Sequence, residues 1–337
     1  MRKKILFSVC LLIIVAVFYR LSVFTPELVS FSGPTMGTTY TVKFYTTEDV
    51  KQSRDVKDDV DAALFRVNKL MSTYDPNSEL SEFNKLAAGQ SLTISEDMAY
   101  VIDKALLISD MTDGQYDVTV GPLVNIWGFG PGQREDKVPT QAVIEDAKSR
   151  VGYQHLTLDG RLLSKEKEIY VDLSSIAKGY GVDAVANVLK EKGIESYLVE
   201  VGGDIASKGM KPDDTPWRIA IESPAGGHNI AERIVSVTDI AMATSGDYRN
   251  YFEAGGVRYS HTISPLTGRP ITHRLVSVTI IDQTATMADG LATAITVLGP
   301  ELGYEFAQKN GIAAYLLVKT DFGFEERPSD AFKTYLK

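Results

Sequence analysis

Residues Ala243–Pro270 read ATSGDYRNYFEAGGVRYSHTISPLTGRP. Just before and into this stretch, Ile234 to Val237 and Ile240 to Thr244 are apolar enough for buried strands. Ser245-Gly246-Asp247 then breaks the pattern with residues suited to tight turns and to exposing backbone N–H groups. Gly255-Gly256 predicts a hairpin, and the alternation from Val257 to Ile263 predicts a returning strand that Pro265 and Gly268 end. His261 falls in that strand. A lone histidine there is more often a satisfied structural residue, but Ser245, Asp247, Arg249, Ser260 and Ser264 crowd it in sequence, which favours a reactive site.

Outward from this stretch, strand-like and helix-like segments alternate. Tyr40, Val42 and Phe44 alternate with Thr39, Thr41 and Lys43, the period of a half-buried strand. Val56, Val60, Ala63, Leu64, Val67, Leu70 and Met71 recur at helical spacing and predict an amphipathic helix over Asp55–Ser72. The turn residues Tyr74-Asp75-Pro76-Asn77 follow, leaving the Tyr74 ring at a helix end. A second helix is expected from Ser95, its N-cap, to Met111. The glycines between Gly114 and Gly132 suit either close approach to a flat ligand or tight turns. A short helix is read over Thr140–Val151, and Leu156–Leu163 with Glu168–Leu173 reads as a hairpin around Asp159-Gly160.

Val171–Asp183 reads as a strand end passing into a helix that closes near Gly193, so its serines and amides either form an ordinary N-cap, the plainer reading, or face an anion at the helix N-terminus. The strand Tyr197–Val201 runs into Gly202-Gly203-Asp204, where a ligand or another backbone can come close. Trp217 to Glu222 leads back to the opening stretch. Beyond it lie a strand over Leu275–Ile281, a helix carrying Leu291, Ile295 and Leu298 on its core side, a helix over Pro300–Asn310 and a strand over Ile312–Val318. Asp289 and Thr293, four apart, share a helix face, and this carboxylate and hydroxyl suit a hard cation such as Mg²⁺. An aspartate placed for the helix dipole is the plainer reading.

At the N-terminus Arg2-Lys3-Lys4 precedes an apolar run from Ile5 to Tyr19 that resumes after Arg20 through Phe24, about the twenty residues that span a bilayer. Residues 1–24 are therefore expected to be an uncleaved signal anchor, 25–32 a linker and 33–337 one globular domain. Keeping the basic end in the cytoplasm places that domain on the periplasmic side of an inner membrane, as a single-pass protein. Cys10, the only cysteine, lies inside the run, with Val9 where a lipid-attachment motif wants a small residue. The remaining chain has no thiol, as suits an oxidising compartment.

The 337 residues are 44% hydrophobic and 23% charged, which argues against disorder. A net charge of -9 with no dense basic run argues against a nucleic-acid partner and leaves anionic ligands to a metal or to backbone dipoles. Zinc-ligand spacing, a Walker loop, a dinucleotide fingerprint and a GxSxG elbow are all absent from the sequence.

MGTTY (Met36–Tyr40), MSTYDPNSELSEFN (Met71–Asn84), YDVTVGPLVNIWGFG (Tyr116–Gly130), DLSSIAKGYGVD (Asp172–Asp183), VGGD (Val201–Asp204), ATSGDYRNYF with YSHTISPLTG, and ADGLATA (Ala288–Ala294) together resemble the ordered motif set of the ApbE family, the FAD:protein FMN transferases. The resemblance implies an α/β fold with a mixed sheet flanked by helices. It implies a Mg²⁺-dependent enzyme that splits FAD and joins its FMN half, through a phosphoester, to a Thr or Ser hydroxyl of an acceptor flavoprotein such as a membrane redox-complex subunit, releasing AMP. Carried over by motif, it places metal on the Ala177 carbonyl, Asp289 and Thr293. It places FAD against Met36, Tyr74, Gln115, Tyr116, Asp117, Asp172, Ser174, Lys178, His261 and Ile263. An aromatic at Tyr74 goes with transfer rather than hydrolysis, and a large ring at the cleft mouth would stack on FAD and exclude water.

His261 is the first choice of general base, because an ordinary imidazole titrates near neutral pH. Asp289 serves catalysis as a metal ligand. Where family members commonly read HxIDP, this chain has His261-Thr262-Ile263-Ser264-Pro265. Two other readings compete with transfer: FAD hydrolysis to FMN and AMP on the same scaffold, and a flavin-binding module without turnover, which the Asp289 and Thr293 pair disfavours.

Overall fold

Tyr40, Val42 and Phe44 turn one face of their strand fully inward while Thr39 and Lys43 stay exposed, so the alternation in the sequence becomes one buried face of the strand. The computed structural model describes residues 26–46, 50–132, 137–222, 231–246 and 251–336. The expected anchor over 1–24 with Cys10, and Asp247 and Arg249 beside the histidine strand, lie outside these residues.

The main sheet comprises β1 (Glu27–Thr35), β2 (Thr38–Thr46), β3 (Tyr197–Val201), β4 (Asp204–Lys208), β5 (Ile240–Gly246), β6 (Leu275–Asp282), β7 (Ala313–Thr320) and β8 (Gly323–Pro328), in that spatial order. Each neighbouring pair is antiparallel. The α/β class is as expected, and the pairing is antiparallel where a mixed sheet was expected, because each excursion leaves and re-enters at the same end of the sheet. The Tyr45 amide, for example, donates to the Ser196 carbonyl at 3.0 Å across the longest of these insertions.

Five helices matter for the site: α1 (Val50–Met71), α2 (Glu96–Met111), α3 (Ala177–Glu191), α4 (Ala285–Leu298) and α5 (Pro300–Lys309). Val182, Val185 and Leu189 of α3 pack with Val56, Val60 and Leu64 of α1 over β2 and β3. Leu291 and Ile295 of α4 pack over Val278 and Ile280 of β6 and Leu316 of β7. The opposite face, with Met242, Ile281, Tyr315 and Leu317, is covered by the hairpin Trp217–Glu222 with Ala231–Val237 and by Phe332.

Several expectations change. Residues 27–32 are not a linker: they belong to β1, paired along its whole length with β2. The turn between the two strands has Met36 at φ 47 and Gly37 at φ 71, the positive pair that a tight type I′ hairpin requires. Pro34 is accommodated because β1 is an edge strand. The hairpin at Asp159-Gly160 pairs Leu156–Asp159 with Leu162–Lys165, and Glu168–Leu173 is not its second strand.

The Gly255-Gly256 hairpin pairs Tyr251–Ala254 with Val257–Ser260, and its returning strand stops before His261. The Thr262 amide donates to Ser260 Oγ at 3.2 Å, which turns the chain there, so His261 sits in a bend. The glycines near 121–130 serve chain packing. A Cβ on Gly121 would lie 2.4 Å from the Tyr170 ring, and one on Gly130 would lie 1.8 Å from Asn125 Oδ1.

Candidate active site

The centre of the site is the crossing of α3 and α4. Asp172 Oδ1 accepts from the Ser174 amide at 2.9 Å and from Ser174 Oγ, a local turn that ends the preceding extended segment and lets α3 begin at Ala177. Two residues into α3, a Cβ on Gly179 would stand 2.2 Å from the Ala285 carbonyl oxygen and 2.8 Å from Asp289 Cβ, so only glycine lets the helices meet here. The gap is used: the Gly179 amide donates to Asp289 Oδ2 at 3.0 Å.

One turn along α3, Asp183 accepts from the Ala285 and Thr286 amides, each at 2.9 Å, and from Thr286 Oγ1. An acidic side chain from one helix thus satisfies the orphan donors at the start of the other, and their dipole favours its charge. This clamp fixes the rotation of α4, and with it the direction in which Asp289 and Thr293 point.

Lys178 completes a charge cluster. Its Nζ lies 2.7 Å from Asp204 Oδ2 and 3.3 Å from Asp289 Oδ1. Burial alone would pull its ammonium down, but the Asp204 and Asp289 carboxylates outweigh that and hold it above its ordinary value. The Lys178 side chain keeps 32% of its surface exposed while the two carboxylates keep 1% and 7%. Burial and the nearby Asp204 charge push Asp289 up to about 7 against the opposing pull of Lys178. Two buried carboxylates facing one ammonium leave an excess of negative charge. Asp204 had no role in the sequence reading; its only signal was a charged residue directly after the strand-ending Gly202-Gly203.

Lys178 and Asp289 open into a cavity of about 430 Å³. Of the residues expected to touch FAD or metal, Gln115, Tyr116, Asp117, Asp172, Ser174, Lys178, His261, Ile263, Asp289 and Thr293 line it. Thr38, Gly202 and Thr244 to Gly246 add walls from the turns and end of the main sheet. The Tyr116 hydroxyl lies 2.9 Å from Ser175 Oγ, and burial raises its pKa. Asp117 is held by the Thr119 amide at 2.8 Å, Thr119 Oγ1 at 2.7 Å and the Tyr153 amide at 2.9 Å, and burial raises its carboxyl.

Three expected residues do not line the cavity. Met36 occupies the β1–β2 turn and packs on α3, where its Sδ would be 3.2 Å from a Cβ on Gly181. Ala177 is buried at the first position of α3. Tyr74 is 65% exposed, and its hydroxyl donates to the Phe129 carbonyl oxygen at 3.1 Å. Tyr74 is not among the residues that line the cavity. Ser264, at the position where an aspartate is common, also lies off the cavity. Its Oγ accepts from the Thr267 amide at 3.3 Å, a turn-closing role that Ser and Asp side chains share.

Residues 36–316 match the ApbE family. The chain belongs to that family. Its similarity extends across the whole domain: the FAD:protein FMN transferase of Vibrio cholerae is 49% identical over 311 residues, which is 92% of this chain and 93% of that one. The solved flavin transferase ApbE from Vibrio cholerae superposes with a TM-score of 0.86 at 47% identity, covering 93% of this chain and 100% of that one. The apo flavinyl transferase ApbE of Pseudomonas stutzeri also gives 0.86, at 43% identity and 93% and 98% coverage. For this ApbE-family chain the fold and the transferase class are thereby fixed, and its cavity is the place to seek the chemistry.

Proposed function

We propose that this chain is a Mg²⁺-dependent FAD:protein FMN transferase whose active site is the cavity at the α3–α4 crossing. The observation that carries the reading is the convergence on one cavity of Lys178, His261 and the Asp289–Thr293 pair, from three separate segments of the sequence, within a family whose relatives bear that activity as their name. FAD's pyrophosphate is anionic, and the Lys178 ammonium on the cavity wall can meet it once a cation offsets the Asp204 and Asp289 carboxylates. Asp289 and Thr293 supply oxygen donors one helical turn apart on the same wall. That donor set and the local excess of negative charge fit a hard divalent cation. Bound Mg²⁺ would neutralise pyrophosphate charge and polarise the phosphoryl group.

His261, on the cavity wall, is placed to take the proton of an acceptor Thr or Ser hydroxyl. The hydroxyl oxygen then bonds to the FMN phosphorus, and the bond to the AMP phosphate oxygen breaks. Beyond that proton the protein's work is positioning, as in other phosphoryl transfers. The acceptor is a flavoprotein, such as a membrane redox-complex subunit. The apolar run over residues 5–24 supports an inner-membrane anchor with the catalytic domain in the periplasm, where such a partner is within reach.

The alternatives are an FAD diphosphatase and a flavin-binding module without turnover. Product chromatography on the full chain with FAD and Mg²⁺ separates the three. Transfer gives AMP only when acceptor is present, hydrolysis gives free FMN and AMP without acceptor, and a binding module gives neither.

A further inference from the structure

Tyr74 and Phe129 both lie off the cavity wall, yet Phe129 touches a residue that lines it and Tyr74 is bonded to Phe129. The Tyr74 hydroxyl holds the Phe129 backbone through its 3.1 Å hydrogen bond. The Phe129 ring meets the His261 imidazole edge-on, with centroids 6.3 Å apart and planes at 70°. Phe129 also packs on Phe252 at 5.7 Å, Phe252 stacks on Tyr259 at 5.0 Å, and Tyr259 leans on Trp127 at 5.6 Å. The buried Trp127 ring in turn donates from Nε1 to the Gly268 carbonyl at 2.9 Å.

The hairpin ahead of His261 and the short Ile263–Ser264 pairing after it lie outside the main sheet. Their placement therefore rests in part on this run of rings, beside the packing of Ile263 with Leu123 and Ile144, and an edge-on aromatic contact restricts how an imidazole can turn.

We propose that Phe129 is a positioning residue for His261, and that Tyr74 influences the reaction by tethering Phe129. This inference rests on His261 being the general base. Such a base has to stay within hydrogen-bond reach of the acceptor hydroxyl, and a displacement of about 1 Å can cost up to ~10²-fold in rate. Because Phe129 does not line the cavity, its loss should appear in kcat and leave FAD binding alone.

The test is steady-state transfer by the full chain with FAD, Mg²⁺ and an acceptor, for single and double variants. Phe129→Leu keeps apolar volume in the cluster and removes the ring edge; kcat should fall about tenfold to a hundredfold with KM for FAD within about twofold. Phe129→Tyr should retain most of the rate, and Tyr74→Phe, which removes only the tether, should lower kcat in the same way but less. The decisive comparison is His261→Ala with Phe129→Leu, which should be no slower than His261→Ala alone. If the two losses multiply while His261→Ala itself slows transfer, the base assignment stands and the positioning role is overturned. A Tyr74→Phe variant at the wild-type rate overturns the tether. If His261→Ala leaves transfer unchanged, the base assignment fails and this inference fails with it.

Discussion

His261 faces the cavity from a two-residue bend, not from a strand, so its backbone is held by turn contacts and its ring by neighbours. Removing the imidazole in His261→Ala should slow transfer by about 10²-fold to 10⁴-fold, the usual contribution of a general base, with FAD affinity little changed. Parallel losses in rate and in FAD affinity, measured by flavin fluorescence titration, would make His261 a binding residue instead. At Asp289 the prediction concerns stability. Whatever binds the native state and not the unfolded chain stabilises it, by about 2.7 kcal/mol at a hundredfold excess over Kd. Thermal melts should therefore shift upward with Mg²⁺ in the wild type and stay fixed in Asp289→Ala. Equal shifts in both proteins would remove Asp289 from the metal site.

Among the elements, the α3–α4 clamp does the positioning. In Asp183→Ala the Ala285 and Thr286 amides and the Thr286 hydroxyl lose their acceptor in a partly buried place. Leaving such donors unpaired should cost about 1–3 kcal/mol each at most, read as a lower denaturant midpoint at unchanged slope. A midpoint within error of wild type would mean that solvent replaces the carboxylate. Much at this scale was legible in the sequence. α2 begins after Ser95, whose Oγ accepts from the Met98 amide as an N-cap should, and the spacing of Asp289 and Thr293 brought both onto one cavity wall. β1 was obscured because Gly33-Pro34 reads as a boundary, which only an edge position excuses. Asp204 was invisible because its partner Lys178 is 26 residues earlier, and ion pairs formed by tertiary contact leave no periodic trace.

For the whole molecule, eight strands follow one another across the sheet in chain order, and the functional residues sit on what is inserted between them. Gln115 to Asp117 and the 172–178 segment come from the excursion between β2 and β3, His261 from that between β5 and β6, and Asp289 and Thr293 from that between β6 and β7. An antiparallel frame fixes the ends of these excursions, and packing between them builds the cavity. The central claim, that the cavity moves FMN from FAD onto a protein hydroxyl, is tested most directly by intact mass spectrometry of an acceptor flavoprotein after incubation with the full chain, FAD and Mg²⁺. One FMN phosphoester per acceptor is predicted, matched by AMP in solution and lost when the acceptor's Thr or Ser is replaced by Ala. Free FMN and AMP beside an acceptor of unchanged mass would contradict it.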